Sequence, residues 1–294
     1  MHKSGFVNII GNPNVGKSTL MNALVGEKLS IITSKAQTTR HRILGIVNGD
    51  DFQIVFSDTP GILKPSYKLQ ESMMNFVRGA LSDADVLLYV TDTVERDDER
   101  AAEIIDRIRQ SGVPTLVVVN KIDLTTQEAL ETLVEKWHTT LPEAEIIPIS
   151  AKEGFNISGL FDRILALLPE GEPFYPKDTL TDKTLRFFAS EIIREKILRN
   201  YDKEVPYSCE IEIEAYKEEP AIDHISAVIY VARNSQKGIL IGHKGEKLKK
   251  VGQQAREELE EFLQKKVFLQ LFVKVSDDWR NDQRQLRRFG YDSE

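Results

Sequence analysis

The chain has 294 residues, 41% hydrophobic and 29% charged, with a net charge of −7, which is ordinary for a soluble protein of two domains. Its single cysteine, Cys209, excludes an intrachain disulfide, and no apolar run is long enough to span a bilayer. The short apolar run near the N-terminus breaks at glycine and proline, unlike a signal peptide, so we expect a cytoplasmic protein.

The first 168 residues alternate short apolar runs with amphipathic stretches. Strands are predicted at FVNII, ILGIVN, FQIVFSD, DVLLYVTD, PTLVVVN and EIIPIS. Helices are predicted near 17–26, 68–81, 98–111, 127–140 and 156–168. Buried strands separated by helices indicate a mostly parallel sheet in an α/β domain over residues 1–168. Ligands of such sheets bind beyond the carboxyl ends of the strands.

The first predicted strand runs into GNPNVGKS at 11–18, which matches the phosphate-binding pattern G-x-x-x-x-G-K-[ST]. Glycine lets the backbone wrap a phosphate, and the helix that follows adds its positive N-terminal end. We expect Lys17 to reach the β- and γ-phosphates and Ser18 to ligate magnesium. A chance Gly-Lys-Ser turn is disfavoured by the strand–loop–helix placement. The residues expected to contact the nucleotide here are Asn12, Pro13, Asn14, Val15, Gly16, Lys17, Ser18 and Thr19.

A second pattern, DTPG at 58–61, ends the strand FQIVFSD. Asp58 is expected to hold magnesium through a water molecule, and the Gly61 amide to meet the γ-phosphate. Each of these short motifs is weak alone, but several in order at successive strand ends leave little room for chance.

Two further strand ends point to the base. In NKID at 120–123, the Asp123 carboxylate offers two acceptors to the N1–H and 2-amino donors of guanine. Adenine lacks both donors and would leave that carboxylate unpaired, which disfavours ATP. In SAK at 150–152, the Ala151 amide is expected to donate to guanine O6. The remaining residues of these two motifs expected at the nucleotide are Asn120, Lys121, Ser150 and Lys152.

The four motifs together resemble a translation-factor-type, P-loop GTPase domain, which implies GTP or GDP with Mg²⁺ as ligands. The loop KAQTTRHR at 35–42 is similar to the first switch of such domains, whose threonine joins magnesium only when the γ-phosphate is present. We favour Thr39 over Thr38 for this role. A plain polar loop would be the default for such a stretch, but its place between GKS and DTPG favours a switch. The expected catalytic residues are Lys17, Thr39 and Gly61.

One position departs from many small GTPases. The residue after DTPG is Ile62, where a glutamine commonly orients the attacking water. We therefore expect slow intrinsic hydrolysis. Asn14 lies where GTPases of the Era/TrmE class place an asparagine that helps to hold potassium. That resemblance implies that K⁺ could supply positive charge during hydrolysis.

A proline-rich segment at 169–182 is predicted to be a linker, and a second domain is predicted at 183–276. Its order is a helix, two strands, a short glycine-flanked turn, a helix and a strand, which is typical of a small α+β domain. Although residues 1–175 carry a charge of −7, residues 176–294 hold equal numbers of acidic and basic side chains. The acidic total therefore does not exclude a nucleic-acid partner.

The stretch ILIGHKGEKLKK at 239–250 is too short for a second phosphate loop of the first kind. We expect it to follow a strand and to open a basic helix, in an αββααβ arrangement that resembles a bacterial-type KH domain. In KH domains G-x-x-G clamps the backbone of single-stranded RNA, and an apolar groove takes the bases. An ordinary turn before a helix is the alternative. The predicted RNA-binding residues of this stretch are Ile241, Gly242, His243, Lys244, Gly245, Lys247 and Lys250.

The tail at 277–294 interleaves aromatic residues with arginines, which suits stacking on bases. Trp279 and Arg280 are therefore predicted RNA contacts. The alternative for each is a helix that packs its aromatic side chains on the domain and leaves its arginines in water.

The pairing of these GTPase motifs with one KH-like domain resembles the Era family, within the TrmE–Era–EngA class of bacterial GTPases. The resemblance covers essentially the whole chain. It implies binding to the 3′ end of 16S ribosomal RNA and to the precursor of the small (30S) subunit, whose assembly such proteins assist. It also implies a cytoplasmic protein with peripheral association at the inner membrane. We expect no stable oligomer.

Two other functions are alternatives for this sequence. The KH-like domain could instead serve protein interaction or another RNA, but the intact Gly242 and Gly245 argue against this. A tRNA- or membrane-directed GTPase has no support, because neither a modification domain nor an amphipathic anchor is visible in the sequence.

Overall fold

The computed structural model describes residues 2–94 and 99–291. The chain divides into two compact units, residues 1–66 with 70–182 and residues 67–69 with 183–294. Residues 1, 98 and 292–294 of the predicted segments lie outside the described residues. None of the helices in the described part is long and apolar enough to cross a membrane.

The first unit holds a six-stranded sheet in the order β2-β3-β1-β4-β5-β6. Only the β2–β3 pair is antiparallel. The strands are β1 Lys3–Gly11, β2 Ile43–Asn48, β3 Phe52–Asp58, β4 Val86–Asp92, β5 Thr115–Asn120 and β6 Glu145–Pro148. The helices are α1 Lys17–Val25, α2 Lys68–Ser82, α3 Glu99–Ser111, α4 Gln127–Thr140 and α5 Ile157–Leu167. The predicted α/β class and its mostly parallel sheet are confirmed.

The central strands are apolar because both of their faces are covered. In β4, six of the seven residues are buried and only Thr91 is partly exposed. Such continuous apolar runs are typical of parallel strands between helical layers. The parallel arrangement brings the carboxyl ends of β1, β3, β4, β5 and β6 to one edge of the sheet. The predicted motifs GNPNVGKS, DTPG, NKID and SAK begin at four of these five ends.

The proline-rich segment 169–182 is hydrogen-bonded to the strands of the first unit. The buried Gln53 side chain accepts from the Tyr175 N–H at 2.9 Å and donates to the Tyr175 carbonyl at 2.8 Å. Further along, the Leu180 carbonyl accepts from the Ile46 N–H of β2 at 2.8 Å. We call residues 169–182 the strap. Proline and glycine predicted an irregular path correctly, but they do not exclude backbone pairing with a neighbouring strand.

The second unit has the order αββααβ. It contains α6 Leu185–Asn200, β7 Cys209–Glu218, β8 Ile222–Val231, α7 Asn234–Ile241, α8 Glu246–Leu263, β9 Lys266–Val275 and α9 Gln283–Arg288. Its sheet has the order β7-β8-β9, antiparallel between the first pair and parallel between the second. In α8, Val251, Ala255 and Leu259 recur every four residues and are buried on the sheet. This bears out the predicted α+β KH arrangement.

One local prediction in this unit is wrong. The run ILI before the glycine loop ends the helix α7, and no strand leads into that loop. Leu240 is fully buried, whereas Ile239 is 44% exposed, so the run does not alternate between two sheet faces. Burial of one residue per turn is the pattern of a helix that lies on a core.

Candidate nucleotide site and RNA-binding loop

The phosphate loop joins the carboxyl end of β1 to the start of α1. Its backbone adopts positive φ at Gly11 (151°), Asn14 (64°) and Gly16 (97°). A Cβ atom at Gly16 would lie 2.2 Å from Asn120 Nδ2, so only glycine fits there. Without a side chain at Gly16, the loop can pass close to the NKID strand. In this position its backbone amides can face a phosphate.

Lys17 is buried inside this loop at 6% exposure. Its Nζ donates to the carbonyls of Gly11 at 3.1 Å and Asn12 at 2.9 Å. Burial lowers the pKa of Lys17 to about 8, against the opposing attraction of the Asp58 carboxylate. A phosphate bound in the loop would lie near the Lys17 ammonium group, and its negative charge would favour the protonated form of Lys17.

Ser18, Thr39 and Asp58 converge on one point. The Ser18 hydroxyl donates to Asp58 Oδ2 at 2.7 Å and lies 2.9 Å from Thr39 Oγ1. Asp58 is fully buried, and burial raises the pKa of its carboxyl group, opposed by Lys17 and by hydrogen bonds that include those from Ser18 and Thr39. Its Oδ1 atom has no hydrogen-bond partner within the described residues. A buried oxygen of this kind is suited to a cation or to a cation's water ligand.

The two switch threonines differ in their surroundings. Thr39 Oγ1 lies 3.3 Å from Asp58 Oδ2, whereas the Thr38 hydroxyl donates to the Lys35 carbonyl at 2.6 Å and lies 2.8 Å from Thr33 Oγ1. The geometry therefore supports the choice of Thr39 over Thr38.

Gly61 lies against the phosphate loop, since a Cβ atom there would be 2.8 Å from Pro13 Cα. The next residue, Ile62, is 1% exposed, packs in the core of the first unit, and donates its N–H to the Gly11 carbonyl at 3.1 Å. Its side chain therefore packs in the core and is not part of the lining of the nucleotide cavity.

The guanine motifs are joined by the Asn120 side chain. It donates to the Val15 carbonyl at 2.9 Å and accepts from the Lys121 and Ala151 amides at 2.8 and 2.9 Å. The Ala151 N–H, which we predicted to donate to guanine O6, thus donates to Asn120 in this structure. The amide of Asn120 ties the phosphate loop to both base motifs.

Asp123 is exposed, and its Oδ1 accepts from the Ser150 hydroxyl at 2.5 Å. Its carboxylate is therefore oriented toward the SAK motif before any base binds. Lys152 is exposed and pairs with Glu153 at 2.9 Å.

A cavity of 420 Å³ lies at the phosphate loop and the switch segment, and Lys121 is the NKID residue in its lining. The predicted base-contacting residues Asp123 and Ala151 are not part of that lining. The sequence predicted most of its lining but not residues 31–34, which precede the switch loop and carry no recognisable phosphate pattern. Predicted residues in the lining are Pro13, Asn14, Gly16, Lys17, Ser18, Thr19, Thr39, Gly61 and Lys121; Gln37 and Thr38 belong to the predicted switch loop 35–42; the unpredicted ones are Ile31, Ile32, Thr33 and Ser34.

In the second unit, the loop His243–Gly245 separates α7 from α8. Gly242, Lys244 and Gly245 all have positive φ, at 73°, 49° and 81°. The stem of Lys247 covers Gly242, where a Cβ atom would be 2.7 Å from Lys247 Cγ. A lysine held at positive φ is strained, and such strain is concentrated at functional loops.

The loop and the start of α8 form an exposed basic surface. His243 is exposed, and Ile241 is partly exposed beside the loop. Among residues 2–94 and 99–291, no carboxylate forms an ion pair with the exposed ammonium groups of this surface. Such free cations attract a phosphate backbone. The lysines concerned are Lys244, Lys247, Lys249 and Lys250.

Comparison with known proteins assigns both units. A family model described as a 50S ribosome-binding GTPase matches residues 6–121, and a KH-domain model matches residues 204–280. GTPase Era of Syntrophus aciditrophicus is 47% identical over 99% of this chain and 96% of its own length. GTPase Era of Alkaliphilus metalliredigens is 45% identical over 99% of both chains.

The chain belongs to the Era family of GTPases.

Solved Era structures have the same fold. Era in complex with MgGDPNP and nucleotides 1506–1542 of 16S ribosomal RNA has a TM-score of 0.95 and 44% identity, and the match covers all of both chains. A tyrosine-to-alanine variant of Aquifex aeolicus Era bound to GDP and AlF4⁻ has a TM-score of 0.94 at 44% identity, covering 99% of this chain and 100% of its own.

The Era-family tail differs from our prediction at Trp279. Its ring is fully buried, its Nε1 donates to the Ser208 carbonyl at 3.0 Å, and it makes an edge contact with Phe289. It is therefore unavailable for stacking on a base. Arg280 is partly exposed and lies over the Tyr67 ring, 4.7 Å from the ring centroid.

Proposed function

We propose that this GTPase binds the single-stranded 3′ end of 16S ribosomal RNA in a GTP-dependent manner and assists assembly of the 30S subunit. The observation that carries the proposal is that one chain combines a cavity lined by the phosphate loop, Thr39, Gly61 and Lys121 with a G-x-x-G loop beside exposed lysines, which form no ion pair within the described residues. Similarity over the full chain to Era bound to both MgGDPNP and 16S ribosomal RNA supports it.

Magnesium fits the cluster at the end of β3. The hydroxyls of Ser18 and Thr39 would ligate Mg²⁺ directly, and Asp58 would hold one of its water ligands through the unpartnered Oδ1. When bound, Mg²⁺ neutralises charge on the β- and γ-phosphate oxygens of GTP. Lys17 would contact the same phosphates, and the Gly61 amide would contact the γ-phosphate.

Hydrolysis is expected to be slow, because Ile62 supplies no group that polarises water. We infer that Asn14 would help to hold a potassium ion, which would supply positive charge beside the phosphates. Asn14 has positive φ and lines the nucleotide cavity. Hydrolysis should fall when K⁺ is replaced by Na⁺, and Asn14→Ala should abolish that difference. Equal rates in the two salts would contradict this role.

The strap offers a route by which nucleotide state could influence RNA binding. Its Thr181 hydroxyl donates to the Leu44 carbonyl at 2.6 Å, and Asp182 accepts from the Leu44 N–H at 3.1 Å. Leu44 lies in β2, directly after the switch loop 35–42. A change at Thr39 on loss of the γ-phosphate would thus act on a strand bonded to the strap, which leads into the KH unit at Lys183.

A cytoplasmic location suits a ribosomal RNA partner, and we propose it together with a monomeric state. Peripheral association with the inner membrane is an expectation from the family resemblance alone. The domain limits 1–168, 169–182, 183–276 and 277–294 likewise stay predictions.

Crosslinking of the protein to total bacterial RNA, with GDPNP or GDP bound, tests the proposal. We expect enrichment at the 3′ end of the small-subunit RNA in the GDPNP state, and its loss in the Gly242→Asp, Gly245→Asp variant. Unchanged crosslinking by that variant would favour a KH unit used for protein interaction or for another RNA.

A further inference from the structure

Asp92 lies at the carboxyl end of β4 and belongs to none of the nucleotide motifs. Its side chain is 1% exposed. Its Oδ2 accepts from Lys121 Nζ at 2.9 Å, and its Oδ1 accepts from the Val94 N–H at 3.2 Å. Burying a carboxylate is costly, and buried charged groups are concentrated at functional sites. Because Asp92 contacts the NKID lysine at the same sheet edge as the cavity, it is a candidate for a role in the nucleotide site.

Lys121 is held from a second side by the phosphate loop. Its Nζ also donates to the Asn14 carbonyl at 2.5 Å. Both Lys121 and Asn14 have positive φ, at 63° and 64°. The ammonium group therefore joins three segments: the NKID motif, the end of β4 and the phosphate loop.

A lysine side chain has four rotatable bonds and loses considerable rotamer entropy when it is fixed. The Asn14 carbonyl alone is a single neutral acceptor. Charge-assisted hydrogen bonds are roughly twice as strong as neutral ones. The buried carboxylate of Asp92 therefore favours the Lys121 rotamer whose Nζ contacts both Asp92 and the Asn14 carbonyl.

We propose that Asp92 is a positioning residue for guanine-nucleotide binding, acting through Lys121 on the Asn14 segment of the phosphate loop. Loss of its charge would free the Lys121 ammonium and loosen the connection between the base motif and the phosphate loop. The inference concerns the nucleotide site and is independent of the proposed RNA target.

The Asp92→Asn variant tests this, because asparagine keeps an acceptor for the Val94 N–H while removing the charge. GDP labelled with a fluorescent group should dissociate on the order of tenfold faster than from the wild type, the value of one charge-assisted hydrogen bond. Asp85→Asn is the matched control, since Asp85 precedes the same strand at its opposite end and its Oδ2 accepts from the Phe6 N–H at 2.7 Å. Its dissociation rate should stay near that of the wild type.

A double-mutant cycle shows whether the effect passes through Lys121. The Asp92→Asn, Lys121→Met double variant should release GDP at the rate of Lys121→Met alone. Rates that multiply, or an Asp92→Asn variant that behaves like the wild type, would overturn the proposal.

Thermal unfolding without nucleotide establishes that each variant is folded. Should Asp92→Asn not fold, Asp92→Glu and Asp92→Ser are compared instead. Glutamate keeps the negative charge and serine removes it, so the serine variant should release GDP faster than the glutamate variant. Equal release rates from these two variants would reject the role of Asp92.

Discussion

Lys17 combines a buried position with a pKa lowered to about 8. Negative phosphates next to it would raise that pKa, so nucleotide binding should take up a proton at pH 8.5, where much of the free side chain is neutral. At pH 6.5 the side chain is already protonated, and this uptake should vanish. Calorimetric titration of GDP in two buffers of different ionisation enthalpy measures it. A binding enthalpy that is independent of the buffer at pH 8.5 would contradict a lowered pKa of Lys17 in the nucleotide-free protein.

Ile62 occupies the position of a catalytic glutamine but functions as a core residue. Replacing it with glutamine should not accelerate hydrolysis, because the side chain would be buried away from the phosphate. It should instead lower the free energy of unfolding by about 1–3 kcal/mol, the cost of burying an unpaired amide. Single-turnover hydrolysis and thermal unfolding check both parts.

Ile62→Leu, which conserves volume, is the control and should be close to wild type. A faster Ile62→Gln enzyme of unchanged stability would show that the side chain at position 62 reaches the reacting water.

Gly242 needs positive φ, and the Lys247 stem occupies the space that a side chain would fill. Gly242→Ala should therefore destabilise the second unit by about 1–2 kcal/mol and weaken RNA binding. Gly238, in α7, has open space around its Cβ position. Gly238→Ala should be neutral or stabilising by up to about 1 kcal/mol and leave RNA binding intact. Thermal unfolding and fluorescence anisotropy with an oligoribonucleotide measure the two effects. If the two variants have the same stability and the same RNA affinity, Gly242 is not required for its positive φ.

At the scale of elements, the strap is fixed by Gln53, whose side chain is fully buried. Gln53→Ala would leave the Tyr175 N–H and carbonyl without their partner. We expect a loss of about 1–3 kcal/mol in unfolding free energy and faster tryptic cleavage at Lys177 within the strap. Gln127→Ala removes only an exposed contact with Glu131 and serves as the control. Cleavage at the same rate in both variants would mean that Gln53 does not hold the strap.

The sequence predicted nearly every strand and helix of the first unit, because buried parallel strands and amphipathic helices have distinct periodicities. It did not predict that ILI ends the helix α7, since such a short apolar run is compatible with either a strand or a helix. It also did not predict the strap's hydrogen bonds, because side-chain identity says little about where backbone groups of an irregular segment are paired.

The same limit applies to the sites. Motif spacing identified the residues around Lys17, Asp58 and Asn120, whose chemistry depends on local sequence. The sequence did not identify Asp92 as a site residue, because its proposed role depends on a contact with Lys121 at the end of the neighbouring strand β5. Trp279 was assigned to RNA because an aromatic side chain next to an arginine can be either a stacking surface or a core residue. Only burial separates the two.

For the whole molecule, the central claim is that nucleotide state changes RNA affinity. If the GTP-bound form binds RNA more tightly, RNA must favour GTP over GDP by the same factor. The strap is hydrogen-bonded to β2 and continues into residue 183, so it would connect the two sites along the chain if the coupling exists.

The most direct test is the affinity of an oligoribonucleotide of the 16S 3′ end for the protein bound to Mg²⁺ and either GDPNP or GDP. We predict tighter binding in the GDPNP state, by about 5- to 150-fold, the usual range for coupled sites. The Gly242→Asp, Gly245→Asp variant should bind weakly in both states. Equal affinity of the wild type in the two nucleotide states would contradict the account.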